Sequence, residues 1–240
     1  YLNIITFFIL YYNCNLGRRR VFEKIKNPLE ALRLSDLKDG SLLQISGFLA
    51  DGTSEILIDA ILETGVKNLQ LICNDTSFPD KGIGKLIKNR RVDKIITTHI
   101  GTNIETQKQY LNKEIAIEFV PQGTLIERLR AYGAGLGGIL TPVGIGTIVE
   151  EGKEKITVNG KEYLLETAIG GGISIIKAKW GDEFGNLRYH GTARNFNHVL
   201  ALAGKRVIVE IENLLELGGM NPDNVETPGI FIDYIVRGGS

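Results

Sequence analysis

Short apolar segments alternate with amphipathic segments along most of the chain, beginning near residue 27. The apolar segments have the length of strands, whereas the segments between them carry apolar residues at helical spacing. In the first half, strands are predicted at 41–46, 68–73, 94–98 and 115–120, and helices at 28–37, 53–63, 85–88, 104–111 and from 124 onward. This alternation predicts an α/β fold with three layers, in which helices cover both faces of a mostly parallel sheet through right-handed crossovers.

The second half of the chain follows a different pattern. Asn159 and Gly160 stand between two segments of alternating apolar residues, so a β-hairpin is predicted over residues 153–166 as an excursion from the main sheet. Three further strands are predicted at 173–178, 206–211 and 231–236, and a short helix within 192–203.

The helix after the fourth strand has two predicted boundaries. Thr124 and Glu127 have the spacing of a capping box, which predicts that the helix begins at Thr124 and that Gln122 and Gly123 lie in the preceding turn. Gly133 is the predicted left-handed stop. The glycines from there to Gly138 show neither helical nor strand period.

Parallel strands end at the same edge of a sheet, so the loops after the four strands are expected to meet there. Open α/β sheets bind ligands at that edge. The loops carry the amide side chains of Asn74, Asn103 and Gln122, together with backbone N–H groups at helix starts. These are neutral hydrogen-bond donors, which suit a phosphate or an oxyanion.

Composition narrows the classes of function. Lys and Arg total 28 and Asp and Glu total 28, so no net charge favours nucleic acid or an acidic membrane surface as a partner. The two cysteines form no disulfide framework, and neither they nor the three histidines have metal-binding spacing. A reducing compartment, the cytoplasm, is therefore expected, with Cys73 as a core residue rather than a nucleophile.

The two ends of the chain do not resemble the rest. The apolar run at residues 2–12 is shorter than the ~20 residues that span a bilayer, and its basic cluster follows it, unlike in a secretory signal. Residues 1–24 are interpreted as a truncated leader or an extension added for expression, with a membrane anchor as the alternative. Residues 238–240 have the composition of a linker scar, and the domain is expected to occupy 25–237.

No familiar nucleophile motif is present. The sequence contains neither a Gly-x-Ser-x-Gly elbow nor a Walker loop. From spacing alone, the chain is an α/β domain with a polar, glycine-lined edge and no obvious nucleophile.

The residues at this edge nevertheless resemble a known family. Residues 34–236 are similar to the A (alpha) subunit of family I CoA-transferases of the acetate/butyrate–acetoacetate and succinyl-CoA:3-oxoacid type. Ser46 and Ser54 depart from that family's pattern, where glycine and proline are usual. The matching motifs are Asp39-Gly40, Gly47-Phe48, Asn74-Asp75, Gly82-Ile83-Gly84, His99-Ile100-Gly101-Thr102-Asn103, Pro121-Gln122-Gly123-Thr124-Leu125, Gly133-Ala134-Gly135-Leu136-Gly137-Gly138, Gly185-Asn186-Leu187, Thr192-Ala193-Arg194-Asn195-Phe196-Asn197 and Thr227-Pro228-Gly229.

The resemblance implies a ping-pong transfer of CoA from a short-chain acyl-CoA to a carboxylate. The nucleophile of such enzymes is a glutamate of the B (beta) subunit, whose sequence context is absent here. CoA is then a substrate, with no permanently bound cofactor, and the partner forms a hetero-tetramer or hetero-octamer with this chain. Asn74 and Gln122 match the family residues that approach the glutamate, and they are expected to orient it and to stabilise the oxyanion. The residues expected to bind CoA or substrate are Gly47, Phe48, Gly52, Gly101, Asn103, Gly135, Gly137 and Gly138.

Other functions remain compatible with the predicted fold, since one fold supports many chemistries. A sugar-phosphate isomerase would need its own base at the sheet edge, and a ligand-sensing regulator would need a DNA-binding segment. A nucleotide-binding dehydrogenase would need Gly-x-Gly-x-x-Gly after the first strand, and Ser46-Gly47-Phe48-Leu49-Ala50-Asp51 does not match it.

The missing nucleophile generates a first prediction. We expect the purified chain alone to transfer no CoA and to become active only when it is co-expressed with a B subunit. The measurement is CoA transfer between short acyl-CoA donors and carboxylate acceptors, with the B subunit alone as the control. Transfer by the isolated chain would contradict the expectation.

Overall fold

The seven strands predicted outside the hairpin form, together with one further short strand, an eight-stranded sheet. The computed structural model describes residues 24–239. The strands are β1 Leu42–Ile45, β2 Leu69–Cys73, β3 Val92–Thr97, β4 Ala116–Phe119, β5 Gly138–Thr141, β6 Lys155–Val158, β7 Lys161–Thr167, β8 Ile173–Asp182, β9 Leu187–Arg188, β10 Arg206–Leu215 and β11 Tyr234–Arg237. The helices are α1 Pro28–Leu34, α2 Glu55–Thr64, α3 Ile83–Lys88, α4 Ile104–Leu111, α5 Gln122–Gly133 and α6 Asn197–Ala203, with 3-10 turns at Ile148–Glu150, Gly191–Arg194, Pro222–Asn224 and Gly229–Phe231.

The main sheet has the strand order β11-β10-β8-β1-β2-β3-β4, and every pair along this path is parallel. The short strand β9 pairs antiparallel with β8. Strands β8 and β10 extend beyond the predicted 173–178 and 206–211, because they continue to pair with each other as far as Asp182 and Leu215. The predicted mostly parallel α/β sheet is confirmed.

Two apolar clusters lie on the two faces of this sheet. Leu71 and Cys73 belong to one cluster, whereas Ile72 between them belongs to the other, as expected when successive side chains of a strand point to opposite faces. Helices α2 and α3 supply residues to the first cluster, and helices α5 and α6 supply residues to the second. The three predicted layers follow from this arrangement.

The predicted hairpin is also present. Strands β6 and β7 pair antiparallel around Asn159 and Gly160, which have φ values of 51° and 77°. Positive φ at both central residues is the geometry of a type I′ turn. Strand β5 pairs with the other side of β7 and completes a separate three-stranded sheet. Gly138, predicted to lie in an irregular segment, is therefore the first residue of a strand.

The predicted start of helix α5 is wrong, and its end lies at Gly133 as predicted but without the predicted left-handed conformation. The helix begins at Gln122 with Pro121 as its N-cap residue, so Thr124 lies inside the first turn and cannot cap it. The helix also continues through Gly133, and the first left-handed residue is Gly135, with φ +72°. Gly133 serves packing instead, since a Cβ there would lie 2.8 Å from Leu202 Cβ in α6.

The other predicted boundaries shift by a few residues. Helix α1 ends at Leu34 rather than at 37, with Ser35 as its C-cap. The residues predicted as a strand at 231–236 form part of the 3-10 turn Gly229–Phe231 and then β11. The interpretation of residues 1–24 as a leader or added extension lies, apart from Lys24, outside the described residues, as does Ser240 of the predicted linker scar. Between residues 24 and 239, no helix has the length and apolar character needed to cross a membrane.

Packing of helix α5 on the sheet is expected to determine much of the stability. Leu129 of α5 is fully buried in the second cluster. We expect Leu129→Ala to lower the free energy of unfolding by about 2–5 kcal/mol, because the substitution removes buried methyl groups and leaves a cavity. Denaturant unfolding measures the change. Leu111→Ala, at a side chain that is 78% exposed, is the control and should change it by less than about 0.5 kcal/mol.

Burial of Cys73 at the end of β2 generates a prediction about reactivity. Burial raises the pKa of the Cys73 thiol from 9.0 to about 12. In a Cys14→Ser background, where Cys73 is the single thiol, we expect reaction with a disulfide reagent at pH 8 to be at least about a hundredfold slower in the native protein than after unfolding. Equal rates in the two states would contradict the burial of this thiol.

Candidate active site

Hydrogen bonds join the loops that follow β1, β2, β3 and β4 at one edge of the sheet. The backbone N–H of Leu49 in the first loop donates to Asp75 Oδ2 in the second, over 3.1 Å. Thr102 in the third loop donates its hydroxyl to the Ser77 carbonyl at 2.9 Å. Gln122, at the start of the helix that follows β4, donates from Nε2 to Asn74 Oδ1 at 2.7 Å. The four loops therefore form one connected polar surface.

Asn74 is fixed by the neighbouring strand. Its backbone carbonyl accepts hydrogen bonds from Thr97 Oγ1 at 3.0 Å, Thr98 N at 3.0 Å and Thr98 Oγ1 at 2.7 Å. The residue is fully buried, and its side-chain nitrogen donates to Asp75 Oδ2 at 2.8 Å. Its position is thus determined by the register of β2 against β3.

Gln122 is the exposed member of the pair that it forms with Asn74. It is the first residue of α5, and Pro121 before it supplies no side-chain cap. The first N–H groups of a helix have no partner within the helix, so they and the Gln122 amide present hydrogen-bond donors at the same place. The sequence separates Asn74 and Gln122 by 48 residues, and the fold brings their side chains into direct contact.

Asp75 lies at the same edge, in the matched Asn74-Asp75 motif, but it was not among the residues predicted for the site. Its carboxylate is 2% exposed and accepts three hydrogen bonds, from Leu49 N, Ser77 N and Asn74 Nδ2. Because these donors occupy both oxygens of the buried carboxylate, it is not placed to attack a substrate. One feature of the sequence pointed to this residue: Asp75 directly follows Asn74 at the end of a predicted strand.

The first loop contains three of the predicted substrate-binding residues. Phe48 is half-buried, and its backbone exchanges hydrogen bonds with Asp51 across a tight turn. Gly47 and Gly52 are buried, and both have positive φ. A Cβ at Gly47 would overlap the Thr53 hydroxyl, and one at Gly52 would lie 2.9 Å from Ala193 Cα. These two glycines let the loop pack closely against its neighbours.

Gly101 and Asn103 lie in the third loop but differ in exposure. Gly101 is exposed and has open space where a Cβ would be placed. Asn103 is fully buried, and its Oδ1 caps helix α4 by accepting from Glu105 N and Thr106 N. Its Nδ2 donates to the Thr76 carbonyl at 2.8 Å, which joins the third loop to the second.

The remaining predicted residues follow helix α5. Gly135 and Gly137 are exposed and have open space around them. Gly138 begins β5, where a Cβ would lie 2.5 Å from the Glu166 carbonyl oxygen. No hydrogen bond among the described residues joins these three glycines directly to Asn74 or Gln122.

A partly buried ionic network begins at Ser54, which closely follows the first loop. Ser54, the N-cap of α2, donates its hydroxyl to Glu210 Oε2 at 2.6 Å. Lys177 lies 3.2 Å from Glu210 and 3.1 Å from Glu212. Burial lowers the pKa of Lys177, but the charges of the two glutamates outweigh burial and raise the pKa overall. The serine that departs from the family pattern is thus both a helix cap and a partner of a buried carboxylate.

The chemistry available at this edge is the donation of hydrogen bonds to negatively charged oxygen. Over residues 24–239, no group of three or more His, Cys, Asp or Glu side chains has the geometry of a metal site. Cys73, which precedes Asn74, is held in its neutral form by burial. The amide pair is therefore suited to stabilise charge and to orient another group.

Comparison with known proteins identifies the family of the chain. The family described as Coenzyme A transferase matches residues 30–238. The chain is 49% identical over 203 residues to the acetoacetyl-CoA:acetate/butyrate CoA transferase alpha subunit of Clostridium acetobutylicum, covering 85% of this chain and 93% of the relative. It is also 49% identical over 199 residues to the acetate CoA-transferase subunit alpha of Escherichia coli K12, covering 83% and 90%.

A solved structure shares the fold at lower sequence identity. The acyl-CoA transferase of Escherichia coli O157:H7, in a thioester complex with CoA, aligns with a TM-score of 0.77 and 22% identity. The alignment covers 89% of this chain and 47% of that one, so this chain spans about half the length of that protein. The family predicted from the motifs is confirmed: this chain belongs to the coenzyme A transferase family.

Proposed function

We propose that this chain is the A subunit of a heteromeric CoA-transferase and that it supplies the amide wall of an active site completed by a B subunit. The observation that carries the proposal is the 2.7 Å hydrogen bond between Gln122 and Asn74 at the carboxyl edge of the sheet. Its relatives are named as alpha subunits that act on acetate, butyrate and acetoacetyl-CoA. The proposed donors are short-chain acyl-CoAs, and the proposed acceptors are acetate, butyrate, acetoacetate or another 3-oxoacid.

The proposed reaction is a ping-pong exchange on a glutamate of the B subunit. The glutamate carboxylate attacks the thioester carbonyl, the C–S bond breaks, and an acyl-glutamyl anhydride forms with release of the CoA thiolate. The thiolate then attacks the glutamyl carbonyl of the anhydride, which releases the donor carboxylate and leaves a glutamyl-CoA thioester. The acceptor carboxylate repeats these steps in reverse and leaves as the new acyl-CoA.

Asn74 and Gln122 are assigned to orienting this glutamate and stabilising the oxyanion. Each carbonyl attack places negative charge on one oxygen, and a preorganised N–H donor stabilises that charge more than it stabilises the neutral carbonyl. The burial of Asn74 supports the assignment, because it fixes the acceptor Oδ1 that holds the Gln122 N–H donor in place before the reaction. The loss of one such donor costs about 3 kcal/mol in other enzymes.

The remaining predicted residues are assigned to the substrate path. Exposed Gly101, Gly135 and Gly137 and half-buried Phe48 are placed along the acyl and pantetheine channel or the subunit contact. Buried Gly47, Gly52 and Asn103, with Gly138 at the start of β5, are assigned to shaping the loops that form this channel. CoA enters as a substrate, and we propose a cytoplasmic hetero-tetramer or hetero-octamer.

The role of Gln122 can be tested in the complex reconstituted with a B subunit. We expect Gln122→Ala to lower kcat at least about tenfold with assembly intact, because the substitution removes a donor near the developing charge. Steady-state kinetics measure the effect, and size-exclusion chromatography verifies assembly. Gln70→Ala, an exposed position on β2, is the matched control and should turn over like the wild type. Wild-type turnover in Gln122→Ala would remove Gln122 from the mechanism.

A further inference from the structure

Backbone N–H groups determine that the Asp75 carboxylate acts as a hydrogen-bond acceptor. The N–H of Leu49 donates to Oδ2 at 3.1 Å, and the N–H of Ser77 donates to Oδ1 at 2.7 Å. Backbone N–H groups only donate, so both oxygens of this buried carboxylate must accept. The acceptor role of both Asp75 oxygens therefore does not depend on how a neighbouring side-chain amide is oriented.

An amide side chain has a donor end and an acceptor end that can be exchanged by a half-turn, so its neighbours decide its orientation. Asn74 lies against Asp75 Oδ2, and an acceptor-only partner requires the Asn74 nitrogen on that side, at 2.8 Å. Asn74 Oδ1 consequently faces Gln122, and Gln122 must present Nε2 to it, at 2.7 Å. The acceptor oxygen of Asp75 thus determines which end of the Asn74 amide faces Gln122. Asn74 in turn determines which end of the Gln122 amide faces Asn74.

We propose that Asp75 is a positioning residue that sets the polarity of the Asn74–Gln122 amide pair. This inference rests on the proposed function of that pair. Amide nitrogen carries two hydrogens, and the bond to Asn74 uses one of those on Gln122 Nε2. The second N–H of Gln122 Nε2 is therefore held beside Asn74. If both amides were turned by a half-turn, the Gln122 oxygen would lie beside Asn74 and its nitrogen would point away.

The same carboxylate also joins the first loop to the amide pair. Leu49 and Ala50 have φ values of 51° and 73°, a left-handed geometry that costs free energy for residues other than glycine. The bond from Leu49 N to Asp75 holds this turn against the second loop. Asp75 therefore fixes the Gly47-Phe48 segment and the amide pair relative to each other.

The test is a double-substitution cycle between Asp75 and Gln122 in the complex with a B subunit. Asp75→Asn keeps the shape of the side chain but puts an NH₂ group where an oxygen accepted, so the polarity of Asn74 and Gln122 is no longer enforced. We expect a loss of about tenfold in kcat with KM changed less than about threefold. In a Gln122→Ala background, the same substitution should lower kcat by less than about threefold, because Asp75 acts through Gln122.

Thr102→Ala is the matched control for loop stability. It removes the hydrogen bond from Thr102 to the carbonyl of Ser77, which lies in the same loop as Asp75, and it leaves the amide pair unchanged. We expect kcat to stay within about twofold of wild type. A loss of equal size from Asp75→Asn in both backgrounds would mean a purely structural role and would overturn the inference. Wild-type kcat in Asp75→Asn would also overturn it. Wild-type kcat in Gln122→Ala would instead contradict the proposed function of the pair.

A second variant applies if Asp75→Asn fails to assemble. Gln122→Glu leaves Asp75 in place and sets a carboxylate oxygen against Asn74 Oδ1, so two acceptors face each other. We expect its kcat to be below that of Gln122→Ala. A kcat equal to or above that of Gln122→Ala would mean that Asn74 offers its nitrogen to residue 122, and would overturn the inference.

Discussion

The site depends on the requirement that polar groups removed from water find hydrogen-bond partners. Asn74 and Asp75 are buried where β2 ends, and an unpaired amide or carboxylate there would cost several kcal/mol. Thr97 at the end of β3 and Thr98 directly after it meet part of the requirement by donating to the Asn74 carbonyl. The loop after β1 meets another part through Leu49 N. The same bonds that make burial possible also fix the geometry of the edge.

Parallel pairing makes this convergence possible. Strands β1 to β4 are consecutive in the sheet as well as in the chain, so the loops that follow them lie side by side at one edge. Gln122 after β4 reaches across the loop that follows β3 to contact Asn74 after β2. The apolar clusters on the two faces hold the strands in register, and helix α5 is anchored by fully buried Leu125 and Leu129. Gln122 at the start of that helix is thereby held against Asn74. Packing of apolar side chains away from the polar edge thus determines the distance between Gln122 and Asn74.

The placement of the amide pair also explains why the chain lacks an obvious nucleophile. The carboxylate nearest the pair is Asp75, and its oxygens already accept three hydrogen bonds. What the edge offers is donors, from the Gln122 amide and the first turn of α5. The proposed division of the active site between two subunits assigns these donors to this chain and the attacking carboxylate to the partner.

Several features followed from the sequence because they depend on neighbours in the chain. The strand–helix alternation and the Asn159-Gly160 turn are local, and the motifs along residues 34–236 identify the family. The gathering of Asn74 and Gln122 at one edge was also predictable, because parallel strands share an edge.

Other features were decided by residues distant in the chain. Helix α5 ends at Gly133 as predicted, but the glycine is required there by close contact with Leu202 of α6, and the left-handed residue is Gly135. Thr124 has the spacing of a cap, yet helix α5 starts two residues earlier. Asp75 gains its importance from Leu49, whose turn reaches it from a different loop. Local pattern reveals which elements form, whereas side-chain partners and close approaches exist only after those elements have packed.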